Sequence, residues 1–217
     1  KGYLKDAFVN FIALLGWNPT GDREIYSLDE FIDYFNIMKV NKGGAVFDTQ
    51  KLDWMNQQYI KNSTTEFLGN LLITEAAKRN MPVNNKEYYE KVAYLFRERV
   101  TFVYEVIDNA GYMFFDDFDY EKEYFNKRWN ETTESLIKPL IDLFRNSGDF
   151  SHHTLHALTK SYCESIGKKL GDLIHPIRLM ITGKSTGAGM FETMEVLGKE
   201  KCIDRFDKFL NQYLKNI

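Results

Sequence analysis

Apolar residues three and four positions apart recur along most of this chain, and that spacing confines it to helices. Phe8, Ile12 and Leu15 fall at i, i+4 and i+7, as do Leu136, Leu140 and Leu143. Val103, Val106, Ile107 and Ala110 form a further stripe, and Leu155, Leu158, Tyr162 and Ile166 another. A helix with such a stripe turns it toward neighbouring elements and leaves its polar face to water. Start signals agree with the stripes. Ser27 with Glu30 and Ser63 with Glu66 read as capping boxes, and Asn84 as a cap ahead of Glu87. Each cap side chain accepts from N–H groups that the first helical turn leaves without partners. Breaks fall at 16–21, 42–44, 80–82 and 146–149, where glycine, proline and asparagine gather. Pro139, inside the Ser135–Phe144 stripe, predicts a kink or the first turn of a new helix. Strand-like alternation is rare, and Ile177–Ile181 is its best candidate. The pattern predicts an all-α fold of about nine to eleven helices.

Composition narrows the function. With 217 residues and 44% apolar content, the chain can bury one sizeable core or two modest ones. No run is long and apolar enough to span a bilayer, so no membrane partner is expected. The segment Lys1–Asp6 carries an early acid and leads into an amphipathic pattern, unlike a signal peptide, so the expected location is the cytoplasm. Cys163 and Cys202 form no CxxC pair and read as buried free thiols. A net charge of -3 argues against a protein that coats nucleic acid indiscriminately. The charge is unevenly spread, however. From Asp108 to Asp149 ten acids face five bases, whereas from Lys160 onward ten bases face seven acids. A phosphate backbone would avoid the middle and prefer the last third.

In that last third stands Arg178-Leu-Met-Ile-Thr-Gly183-Lys-Ser-Thr-Gly187-Ala-Gly189-Met-Phe191, followed by Leu197-Gly-Lys-Glu200. It reads as a short extended run, a glycine-rich loop, and a helix with Phe191, Met194 and Leu197 on one face. From chemistry alone this is either a tight structural turn or a place where another molecule meets the main chain. The order of residues resembles the C-terminal anticodon-loop-binding segment of bacterial-type glutamyl-tRNA synthetases. A second block strengthens the resemblance: Gly2-Tyr-Leu-Lys-Asp-Ala-Phe8, Ala45-Val-Phe-Asp48, Lys51-Leu-Asp-Trp-Met-Asn56 and Tyr59-Ile60 are similar to the segments that follow the KMSKS-type loop of that family. No HIGH-type signature and no KMSKS-type loop occurs in the sequence. The chain therefore resembles the C-terminal portion of a synthetase without its N-terminal catalytic domain.

The resemblance implies an elongated, monomeric protein in three helical pieces. Residues 1–62 are expected as a stem-contact remnant, 63–121 as a first anticodon-binding domain and 122–217 as a second. It implies tRNA-Glu as partner, with tRNA-Gln left open, and a parent enzyme that uses ATP and Mg2+ to esterify glutamate to tRNA. It implies no catalytic residue, no cofactor and no metal site on this chain. Arg99, in Tyr94-Leu-Phe-Arg-Glu-Arg99, matches a family arginine that reads an anticodon base edge; read without the family, it is an arginine at a helix C-terminus. Arg97 is expected to face away and pair with Glu98 or Glu105. Arg178 matches an arginine at the mouth of the anticodon pocket, its alternative being a salt bridge to Asp172 or Glu192. Gly187, Ala188 and Met190 match positions that hold splayed bases. The chain departs from the family there: many relatives carry proline at the place of Ala188 and Thr or Ser at that of Gly187. Lys184, Lys199 and Lys201 are candidate phosphate contacts.

Other constellations carry less. His152 and His156 are spaced for a metal, but no nearby acid or cysteine completes a ligand set. His175 before Pro176 reads as a turn residue, and Asp116, Asp117 and Asp119 as a solvated acidic turn. Phe114, Phe115, Phe118, Tyr120, Tyr124, Phe125 and Trp129 are expected to pack between the anticodon domains, with Trp17 and Trp54 as core anchors of the N-terminal piece. Two other classes compete with tRNA recognition: a stand-alone helical module that binds protein, and a helical enzyme built on the histidine cluster.

Overall fold

The computed structural model describes residues 2–17, 21–40, 43–83 and 85–213, with side chains to Asn211. Among these residues there are twelve α-helices and no strand, the one β-bridge being an isolated antiparallel pair between Trp17 and Val40. The all-α expectation holds, with one helix more than the upper end predicted. The chain forms two compact units, Lys1–Asn109 and Ala110–Ile217.

The first unit contains α1 (Lys5–Gly16), α2 (Leu28–Tyr34), α3 (Thr49–Asn62), α4 (Thr65–Lys78), α5 (Lys86–Phe96) and α6 (Glu105–Asn109). Phe11 of α1 packs on Leu52 and Met55 of α3, and Trp17 packs on Tyr26 and Phe31. The buried Asn10 ties the two groups together, since its Oδ1 accepts from the Tyr26 N–H at 2.8 Å and the Tyr59 hydroxyl at 2.7 Å. The predicted capping box at Ser27 and Glu30 is present, and the Arg23 guanidinium also grips Glu30 at 2.6 Å. The next start is one residue later than predicted. Thr64, not Ser63, caps α4, because Ser63 still closes α3. Asn84 lies outside the described residues, as do 18–20 and 41–42 in two predicted breaks; Asn85 caps α5. Gly69 lets α4 and α5 approach closely, since a Cβ there would run into Glu90.

Two expectations for this unit are overturned. Phe8 and Ile12 are 44% and 45% exposed, and the face of α1 turned to the core is Ala7, Asn10 and Phe11. Trp54 is 41% exposed while its neighbour Met55 is buried, so Trp17 alone of the two tryptophans anchors a core.

The second unit contains α7 (Lys122–Arg128), α8 (Glu131–Asn146), α9 (His152–Ser165), α10 (Leu170–Thr182), α11 (Met190–Leu197) and α12 (Lys199–Lys208), then a π-helical stretch Phe209–Tyr213. The buried faces are Ile137, Leu140, Ile141 and Phe144 on α8, and Leu155, Thr159 and Cys163 on α9. Leu143 therefore lies off the core face, being 40% exposed. Pro139 is exposed in mid-helix, and α8 runs through it without restarting. The predicted extended run Ile177–Ile181 is helical as well. It is the last part of α10, which passes through His175 and Pro176, so His175 is no turn residue. Full burial of Ile177, Leu179, Met180 and Ile181 produced the strand-like appearance, since a helix buried on most sides loses its 3.6-residue period. Within this unit Tyr120, Phe125 and Trp129 surround the buried Phe209, with the Trp129 ring 4.6 Å from it. Cys163 and Cys202 are free and buried, and burial pushes the Cys202 thiol up to about 12.

Candidate nucleic-acid interface

The glycine-rich loop is held from both sides. At the end of α10, Gly183 adopts a left-handed conformation (φ 68°) and donates to the Leu179 carbonyl at 2.9 Å. A Cβ at Gly183 would run into the Asp119 carbonyl, so glycine is required there for both angle and space. The Thr182 hydroxyl donates to the Arg178 carbonyl at 2.8 Å and accepts the Lys184 N–H at 3.1 Å. The segment before α7 lies against the loop. The Glu121 N–H donates to the Gly183 carbonyl at 2.8 Å, and the Glu121 carboxylate accepts the Ser185 N–H at 2.9 Å. On the far side, Arg178 Nη2 donates to the Ala188 carbonyl at 3.0 Å. Gly187 has φ 155°, and a Cβ there would lie 2.9 Å from the Tyr112 hydroxyl. Ala188 and Met190 are buried, whereas Ser185 and Thr186 form the exposed rim.

Beside the loop is a cleft of about 450 Å³ lined by Glu121, Lys122, Glu123, Tyr124, Lys127 and Ser185. The Tyr124 hydroxyl lies 2.9 Å from His175 Nδ1 and donates to the His175 carbonyl at 3.1 Å. Burial lowers the His175 pKa, and the charges of Arg128 and Arg178 lower it further.

Sequence reasoning missed Arg205. From α12 its guanidinium, 3% exposed, donates to the Ile181 and Tyr112 carbonyls at 2.7 Å each and to the Phe115 carbonyl at 3.2 Å. It also faces Asp116 at 3.4 Å and covers the Phe118 ring at 4.9 Å. One buried cation thus fixes both the end of α10, from which the loop springs, and the segment 112–118. A sequence clue existed: Arg205 sits on the apolar stripe Cys202, Phe206, Phe209, where a solvated arginine does not belong. Asp116 is consequently no free acidic turn residue. Lys201, at 2.9 Å, and Arg205 hold its carboxyl below the usual range.

In the first unit α5 ends at Phe96, and Arg99 stands exposed in the turn that follows. Its N–H donates to the Phe96 carbonyl at 2.8 Å, while its guanidinium makes no hydrogen bond or ion pair among the described residues. Below it the Glu105 carboxylate accepts the Thr101 and Phe102 N–H groups at 2.7 and 3.2 Å, fixing the turn. Arg97 pairs with Glu98 at 3.8 Å, as predicted for one of its two candidate acids, and covers the Tyr94 ring at 3.4 Å.

The three candidate phosphate lysines are engaged within the second unit. Lys184 faces Glu121 at 3.9 Å, Lys199 donates to the Ser147 carbonyl at 2.8 Å, and Lys201 pairs with Asp116. His152 meets Glu195 at 2.6 Å and His156 packs edge-on against Phe191. No group of three potential ligands that could hold a metal occurs among the described residues. No helix among them is long and apolar enough to cross a membrane.

Residues 63–210 match the family described as anticodon binding domain. Residues 1–54 match the catalytic domain of class I tRNA synthetases (E and Q), where the sequence reading placed a module following that domain. A glutamate–tRNA ligase of Pelodictyon phaeoclathratiforme is 38% identical over 96% of this chain and 44% of its own length. Glutamate–tRNA ligase 2 of Caldicellulosiruptor saccharolyticus is 35% identical over 99% of this chain and 45% of its own. The crystal structure of a glutamate tRNA ligase from Elizabethkingia meningosepticum, in complex with its amino acid, superposes with a TM-score of 0.87 at 31% identity, over 97% of this chain and 42% of that one. The chain thus spans less than half the length of the relatives it matches.

Proposed function

We propose, from the premise that this chain belongs to the anticodon binding domain family, that it is the tRNA-recognition part of a glutamate–tRNA ligase. The observation that carries the reading is the pairing of that family match with a loop whose backbone is braced from both sides and whose rim is exposed. Single-stranded RNA loops are read by surfaces of this type, where splayed bases meet main-chain groups and fixed side chains. Arg178, Gly187, Ala188 and Met190 are assigned to the anticodon. Ala188 and Met190 would act by supporting the loop from beneath, since both side chains are buried. Arg99 is assigned to a base edge, which its unengaged fork of donors suits. Lys184, Lys199 and Lys201 would reach phosphates only by exchanging their present partners. The three-piece division at 62 and 121 is part of the same reading.

The parent enzyme would esterify glutamate to tRNA-Glu, as a cytoplasmic monomer. ATP and Mg2+ would be held by parts of the catalytic domain other than the portion matched by residues 1–54, because neither nucleotide-binding signature occurs in this sequence. A further observation supports such a domain. Among the described residues, twelve of the seventeen exposed large hydrophobic side chains fall between Phe8 and Trp54, including Leu28 and Ile32 of α2 and Phe35 just after it. Exposed apolar surface on that scale is typical of interaction sites, and on this reading the rest of the catalytic domain would cover it.

A mobility-shift titration tests the reading. The isolated chain is expected to bind tRNA-Glu with a roughly micromolar Kd that weakens steeply with salt, and to support no glutamate-dependent pyrophosphate exchange. Absence of a shift at low salt would refute it.

A further inference from the structure

The aromatic residues of α5 divide into two sets. Tyr89 and Phe96 are buried at 5% and 4% exposure, together with Val92 and Ala93, and they supply the packing of the helix. Tyr94 points elsewhere and is 45% exposed. Its ring is nevertheless held on one face. The Arg97 guanidinium carbon lies 3.4 Å from the ring centroid, Arg97 Nη1 donates to the Tyr94 carbonyl at 3.1 Å, and Glu98 holds Nη2 at 3.8 Å. With that face covered, the ring's exposure belongs to its other face and its edge. Two residues beyond Arg97 stands Arg99, exposed and with its donors unengaged among the described residues.

We propose that Tyr94, backed by Arg97, is a stacking platform for one unpaired base of the RNA, and that Arg99 reads the edge of that base or of its neighbour. The inference rests on the anticodon reading above and adds a residue to it. A guanidinium at van der Waals distance from one face restrains the ring and draws on its electron density. The open face then offers an aromatic surface that is already ordered, so stacking on it loses little side-chain entropy. Stacking accepts any base, because every base has a π-face, whereas the arginine fork discriminates among edge acceptors. The segment Tyr94–Arg99 would thus divide the work: the ring supplies affinity and Arg99 supplies choice.

The test uses the 217-residue chain and anticodon stem-loop RNAs that carry 2-aminopurine at each anticodon position in turn. One position should be quenched on binding to the wild-type chain. Tyr94→Ala and Tyr94→Leu should abolish that quench and weaken binding about tenfold, the size of one lost base stack, while Tyr94→Phe keeps both. All three variants should melt within about 2 °C of wild type, because the ring is outside the core. Arg99→Ala should keep the quench and lose the preference among bases. Wild-type quench and affinity in Tyr94→Leu would overturn the inference while leaving the anticodon reading intact. Failure of the wild-type chain to bind any of these RNAs at low salt would remove both.

Discussion

Arg178 is already committed to the Ala188 carbonyl, in a loop that Thr182 braces at its start and Glu121 along one side. Arg99 stands at the end of α5 in an equally well-fixed turn, yet its guanidinium is in water. The two regions belong to different compact units, and on the proposed reading they would present an arginine to RNA in two ways. In the second unit the ordering cost is met during folding, and the ligand meets a finished surface. In the first, side-chain freedom worth up to about 2 kcal/mol is lost only when the ligand arrives. Changes around the loop should therefore cost stability, whereas changes at the helix end should cost affinity.

The largest expected effect tests the built-in side. Arg205→Ala would leave the Ile181, Tyr112 and Phe115 carbonyls without their donor, and should lower stability by about 3 kcal/mol in urea denaturation. A loss under about 1 kcal/mol would mean that the loop does not depend on this cation. Gly183→Ala comes next. It forces a left-handed angle on alanine and drives a methyl into the Asp119 carbonyl, for a loss of about 2 kcal/mol read in the same way. Arg99→Ala should behave oppositely: stability unchanged within about 0.5 kcal/mol and tRNA binding weaker by about 1–2 kcal/mol, measured by filter binding. If it unfolds the chain instead, the contrast between the regions fails.

The smallest effect is in pH. Asp116 is held below the ordinary carboxylate range, mainly by Lys201 and then by Arg205. A depressed folded pKa gives stability that is present above the unfolded carboxylate value, near 3.9, and is lost as pH falls through the lower folded value. Asp116 is largely exposed, so its share is well under about 1 kcal/mol after solvent screening. Asp116→Asn should therefore lower stability slightly above pH 6, and the difference from wild type should vanish as pH falls below about 4.

Much of this was legible in the sequence, and the misses have physical reasons. Capping chemistry placed the start of α2 at Ser27, and the 3.6-residue period placed Phe191, Met194 and Leu197 in the core. The same period misled at α1. Phe8 and Ile12 form a true apolar stripe, but they stay about half exposed among the described residues, and periodicity reports that a stripe is apolar without naming its partner. At Ile177–Ile181 the period vanished because the helix is buried on most sides, so a strand was predicted in its place. Of the proposed interface, the glycine pattern and the two arginines were visible in the sequence. The partners of the clamps Arg205 and Glu121 were not, since each acts across more than twenty residues on a carbonyl or an N–H; the place of Arg205 on an apolar stripe was the only mark either clamp left in the sequence.

The proposed reading assigns Arg99 and Arg178 to recognition of tRNA-Glu. The most direct measurement is competition binding of the chain with tRNA-Glu and with the same tRNA carrying an unrelated anticodon, for wild type, Arg99→Ala and Arg178→Ala. A preference for the natural anticodon of about tenfold or more, reduced by either substitution, is the predicted result. Equal binding of both tRNAs by the wild-type chain would contradict the account.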